Sequence, residues 1–92
     1  MRYEVRETTL VLFCHPGRFK LEKDNGTWVL VSNKNNCRIR IPEFINCVRI
    51  PVSRCSCCNS PIDEIVDLQE GKSKQVHRWK MVDCQAINKK NN

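Results

Sequence analysis

Apolar and polar residues alternate along most of the chain, and a period of two marks strands. Residues 2–13 open with Tyr3 and Val5 alternating against Glu4 and Arg6, then run into a β-branched and aromatic stretch. His15-Pro16-Gly17 breaks that run, Pro-Gly being a strong turn signal. Residues 18–32 form the clearest local unit. Asn25-Gly26 stands between two alternating segments, and a type I′ turn requires positive φ at both central residues, which this pair tolerates best. A two-residue loop there sets the register: Leu21 opposite Leu30, Lys23 opposite Trp28, and Phe19 opposite Ser32. Phe19, Leu21, Trp28 and Leu30 then share one face, with Lys23 laid along the indole.

A polar loop follows from Ser32 to Asn36. Two more alternating segments come next, Arg38–Ile41 before Pro42 and Val48–Val52 with Pro51 inside it. Each turns isoleucine or valine to one side and mainly arginine to the other. Proline in or beside both predicts edge positions with limited pairing. A last pair is expected from Asp63 to Leu68, a turn near Glu70-Gly71-Lys72-Ser73, and a return from Lys74 to Ile87. No 11-residue window has a helical period, although Ile62, Ile65 and Val66 could form one helical turn. Asn88 to Asn92 reads as a frayed, disordered tail. The expectation is a single all-β domain over residues 1–87.

Size makes staples necessary. A chain of 92 residues can bury one core, and so small a core rarely supplies more than roughly 3–5 kcal/mol. Seven cysteines stand at positions 14, 37, 47, 55, 57, 58 and 84. That density suits a secreted disulfide scaffold, with a structural zinc site as the competing use. No segment could span a bilayer, since the longest apolar run is Leu10–Cys14 against the ~20 residues required. The charged first residues do not resemble a signal peptide. Asn25-Gly26-Thr27 is an N-glycosylation sequon and points to secretion, although the hairpin turn already accounts for Asn-Gly. The net charge of +6 suits anionic partners such as glycosaminoglycan, acidic protein or nucleic acid. It is equally ordinary for a small soluble domain.

Cys55-Ser56-Cys57-Cys58 is the unusual feature. In an extended strand Cys57 and Cys58 point to opposite faces while Cys55 and Cys57 share one. A cluster that cannot easily fold back would reach partners in several directions, as in a disulfide framework. Zinc is the alternative. Cys55 and Cys58 form a Cys-x2-Cys pair, and Cys37, Cys47, His77 or Cys84 could complete four ligands; the set carried forward is Cys55, Cys58, His77 and Cys84. A second short-spaced pair, usual in structural zinc sites, is missing.

Catalysis is not expected. A thioredoxin-like site needs a helix after its Cys-x-x-Cys to lower the thiol pKa, and none is predicted after Cys58. Cys14 and His15 are neighbours on a strand and face apart. His77 reads as a solvated residue of a basic strand, Asp63 and Glu64 lack a cleft-forming context, and three glycines make no phosphate loop.

Beyond Cys55 the residues resemble a known pattern. Cys55-Ser56-Cys57-Cys58-Asn59-Ser60-Pro61, then Ile65-Val66-Asp67-Leu68, Glu70-Gly71, Val76-His77-Arg78-Trp79 and Val82-Asp83-Cys84 look like the second half of the C-terminal cystine-knot domain of mucins, von Willebrand factor and norrin. The resemblance covers about residues 48–86. The family's cysteine near Leu68-Gln69 and the one at Ala86 are absent here, so it implies an incomplete ring: small elongated antiparallel hairpins with fewer staples. It implies bridges Cys14–Cys58 and Cys47–Cys84 and a homodimer through one thiol of Cys55 or Cys57. Since those two share a strand face, Cys37 is expected to pair with the other, with a buried free cysteine as the alternative to the dimer. It also implies a secreted ligand, antagonist or dimerisation module rather than an enzyme.

Two functions therefore stand side by side. One is an extracellular, disulfide-stapled protein-binding module, directed at a receptor or other protein. The other is a small intracellular, viral-type basic protein that holds zinc and contacts nucleic acid. In that second reading Arg38, Arg40 and Arg49 follow phosphates while Trp28 or Trp79 stacks on bases. Arg38, Arg40, Arg49 and Trp79 are the candidate binding face, although alternating arginines also satisfy the solvated side of a strand.

Overall fold

A computed structural model of the chain describes residues 2–79 and Cys84. The described part is all-β, with eight strands in two sheets. Strands β1 (Arg2–Arg6), β2 (Thr9–Phe13), β6 (Cys47–Arg54), β7 (Pro61–Asp67) and β8 (Ser73–His77) form one sheet in the order β1-β2-β6-β7-β8. Strands β3 (Phe19–Asp24), β4 (Thr27–Ser32) and β5 (Arg38–Arg40) form the other. The expected continuation of the last strand from 80 to 87 and the tail at 88–92 lie outside the described residues, Cys84 excepted.

The 18–32 hairpin has the expected register: Phe19 pairs with Ser32, Leu21 with Leu30 and Lys23 with Trp28. Asn25 and Gly26 take φ of 50° and 79°, as a type I′ turn demands. Lys23 Nζ lies 5.2 Å from the centre of the Trp28 ring.

Residues 2–13 are not one strand but a hairpin, β1 antiparallel to β2. Glu7 makes the turn at φ 56°, a conformation that no Asn or Gly advertises in the sequence. The centre of the larger sheet also differs from elongated antiparallel hairpins. Strand β2 runs parallel to β6, Leu10 beside Val48 and Val11 beside Arg49. Parallel neighbours need a long crossover, and here the connection holds the entire three-stranded sheet.

Proline placed β5 correctly at an edge, but β6 lies in the middle of its sheet. Pro51 is tolerated there for two reasons. The β2 ladder ends at Val11–Arg49, and the Pro51 carbonyl accepts the Gly17 N–H at 3.1 Å beyond that end. A residue's N and C=O point the same way in a strand, so the proline nitrogen also faces this side, where no ladder donor is required. The β6–β7 register then shifts between Pro51 and Ser53. Ile62, Ile65 and Val66 lie in strand β7, not in a helical turn.

The sheets enclose Leu10, Leu12, Leu30, Ile41, Ile45, Val48 and Ile50, with Phe19, Leu21, Trp28, Ile39 and Leu68 packed around them. Burying each large side chain contributes about 1.5–3 kcal/mol. Trp28 Nε1 donates to the Leu68 carbonyl at 3.1 Å, which satisfies the indole and ties one sheet to the other.

Candidate metal centre

The loop between β6 and β7 folds back on itself. Cys55 N–H donates to Ser60 O and Asn59 N–H to Cys55 O, both at 2.9 Å. Asn59 takes a left-handed φ of 62°, a conformation asparagine adopts more readily than most residues. The cysteine cluster is therefore a tight turn rather than the extended strand expected of it. Cys57 is left exposed, while Cys55 and Cys58 converge on a common point.

Strand β8 supplies the third group. His77 pairs with Ile62, which sets it beside the place where the loop enters β7. Arg78 N–H donates to Pro61 O at 2.9 Å and Trp79 N–H to Ser60 Oγ at 3.1 Å, fastening the end of β8 to the loop. Cys84, 1% exposed, is the fourth. Its Sγ lies 3.6 Å from Cys55 Sγ and 3.6 Å from His77 Nε2. The ligand atoms of Cys55, Cys58, His77 and Cys84 all lie within 4.8 Å of one another. These are the four residues carried from the sequence as the zinc alternative.

Zinc–sulfur bonds of about 2.3 Å and zinc–nitrogen bonds of about 2.0–2.1 Å give tetrahedral edges of roughly 3.5–3.8 Å. The two 3.6 Å separations match those edges, and the widest needs a contraction of about 1 Å. The electrostatics suit a thiolate. Cys55 is lowered to about 6, chiefly by the backbone N–H of Cys58, then by hydrogen bonds from His77 and the Cys57 N–H, with burial opposing them. The Cys57 N–H stands 3.4 Å from Cys55 Sγ.

The implied bridges are not present: no disulfide joins any two of Cys14, Cys37, Cys47, Cys55, Cys57, Cys58 and Cys84. Cys58 and Cys84, the expected partners of Cys14 and Cys47, instead belong to the same four-residue cluster. Cys55 is buried in it, which leaves Cys57 as the exposed member of the motif.

The candidate binding residues do not share a face. Arg38 and Arg40 lie on the outer side of the small sheet, opposite Val31 and Val29, and Arg38 is paired with Asp24 at 3.3 Å and Glu22 at 3.9 Å. Arg49 belongs to the large sheet, where it donates to Asp63 at 3.2 Å. Trp28 is committed to the core, while Trp79 is exposed beside the Cys₃His cluster. Sequence reasoning missed Asp63. It is fully buried, and its Oδ2 accepts from both Arg49 and Arg78. It stands between Ile62 and Glu64 in an ordinary alternating strand, so no local signal distinguished it.

The described residues thus define a small two-sheet β fold with a partly buried Cys₃His cluster at one hairpin loop. Comparison with protein-family models, curated proteins and solved structures finds no match.

Proposed function

We propose that this chain is a zinc-stapled β-module that serves as a binding domain, its metal held structurally by Cys55, Cys58, His77 and Cys84. The observation that carries this reading is the convergence of those four ligand atoms within 4.8 Å. Four protein ligands close a tetrahedral zinc site and leave no position for a reactive water, which favours a structural over a catalytic role. The metal would join the 55–60 loop, the end of β8 and Cys84, a cross-link that a small core needs. A thiolate–zinc site suits a reducing compartment. This reading is preferred to the extracellular disulfide module because Cys58 and Cys84 cannot serve both a zinc ion and bridges to Cys14 and Cys47.

Intact mass under native and denaturing conditions tests it. A native mass higher by one zinc ion, lost with Cys58→Ser or His77→Ala but kept with Cys37→Ser, supports the metal site. A mass lowered by two hydrogens per bridge, restored by reductant and without zinc, overturns it.

A further inference from the structure

A groove of about 530 Å³ opens where the end of β2 meets β3 and β4, within the roughly 300–1,000 Å³ typical of small-ligand sites. It is separate from the metal cluster, and its lining has one chemical character. Phe13 and Phe19 contribute aromatic walls, and none of the described lining residues is acidic. Arg18 and Lys34 face it, and neither has a carboxylate partner among the described residues. In contrast, Lys20, Arg38, Arg49, Lys72 and Arg78 are ion-paired.

Several polar groups here can donate, and His15 can both donate and accept. Ser32 is 4% exposed, and its oxygen accepts the Lys34 N–H at 3.2 Å. The hydroxyl proton remains to be given to a ligand. Asn35 Oδ1 is occupied by the Cys37 N–H, which leaves the amide NH₂ as its unengaged group. The Cys14 thiol adds no negative charge, since burial raises its pKa above the ordinary value. Guanidinium groups of Arg2 and Arg78 lie 5.9 and 5.1 Å from the centre of the Phe13 ring, adding positive field to that wall.

The site is also held in place. Gly17, with φ +78°, lets the His15–Arg18 turn close through Arg18 N–H to His15 O. That turn is anchored by Gly17 N–H to Pro51 O, Asn33 N–H to Arg18 O, and Asn33 Nδ2 to Gly17 O. A groove rich in donors, without carboxylates and lined by two phenyl rings, matches a ligand with phosphate acceptors and a planar apolar body.

We propose that this groove binds a nucleotide through its phosphate and base, either as a free mononucleotide or as the 5′-phosphorylated end of a single strand. Arg18, Lys34 and Ser32 hold the phosphate, and Phe13 and Phe19 flank the base. The proposal does not depend on the metal reading.

Isothermal titration of the full chain with AMP, adenosine, inorganic phosphate, and an eight-residue oligoadenylate with and without its 5′-phosphate provides the test. AMP should bind at least about tenfold more tightly than adenosine or phosphate, and Arg18→Glu and Lys34→Glu should each weaken it about tenfold or more. Lys72→Glu, in the turn between β7 and β8, should change it less than about twofold. The source is a strand end if the phosphorylated oligonucleotide binds more tightly than AMP and loses affinity with its phosphate; otherwise it is the free nucleotide. AMP binding no tighter than adenosine or phosphate, or AMP binding unchanged in both charge reversals, overturns the proposal. Arg18 and Lys34 are exposed and have no ion-pair partner among the described residues, so circular dichroism of these variants should match the parent.

Discussion

Arg78 Nε donates to Asp63 Oδ2 at 2.7 Å, one residue beyond His77 of the Cys₃His cluster. The same guanidinium reaches the Leu12 carbonyl through Nη2 at 2.7 Å and lies over Phe13. Asp63 also accepts from Arg49, so one buried carboxylate ties β6, β7 and the end of β8, while Arg78 extends the tie to β2. The first prediction follows from burial. Asp63→Ala removes the shared acceptor of two partly buried guanidinium groups and should cost about 2–4 kcal/mol in urea denaturation. A loss below about 1 kcal/mol would show the ion triad to be dispensable.

Removal of the proposed zinc ion should act on the whole fold. The cluster joins a loop, a strand end and Cys84 across the sequence, and binding energy at structural zinc sites is folding energy. Strong chelation should lower the melting temperature by at least about 10 °C, and zinc should restore it. Cobalt in place of zinc should show the intense visible bands of tetrahedral thiolate coordination, weakened by Cys84→Ser.

Thiol reactivity should divide the cysteines by position. Cys37 and Cys57 are exposed, whereas Cys55 and Cys84 are buried. Iodoacetamide should modify Cys37 and Cys57 first in the zinc-loaded chain, with Cys55, Cys58 and Cys84 protected until chelation. Denaturation without reductant should expose all seven to alkylation; a shortfall of two or more would signal bridges.

The Asn25-Gly26 turn offers a local test. Gly26 has φ 79° with open space around its Cα, so a substitution there is opposed by backbone conformation rather than by a clash. Gly26→Val should destabilise by at least about 1 kcal/mol, and Gly26→Asn by less because asparagine accepts the left-handed region. Equal losses in thermal denaturation would refute the conformational explanation.

What the amino-acid order determined by itself was local. Strand periodicity, the Asn-Gly turn and the Leu21–Leu30 register depend on neighbours a few residues apart, where turn geometry and alternation agree. The grouping of Cys55, Cys58, His77 and Cys84 was legible as an alternative because Cys55 and Cys58 are close in sequence and few residues could complete them. The tertiary structure decided what proximity in sequence cannot encode. It placed β2 parallel to β6 across a whole intervening sheet, put Pro51 at the centre of a sheet beyond the end of a ladder, and buried Asp63 against Arg49 and Arg78. It also turned Cys55–Cys58 back on itself through a left-handed Asn59, bringing His77 and Cys84 to the same point. Each of these depends on long-range packing, in which the burial of Leu10, Leu12, Val48 and Ile50 outweighs the local preference of a proline or a carboxylate.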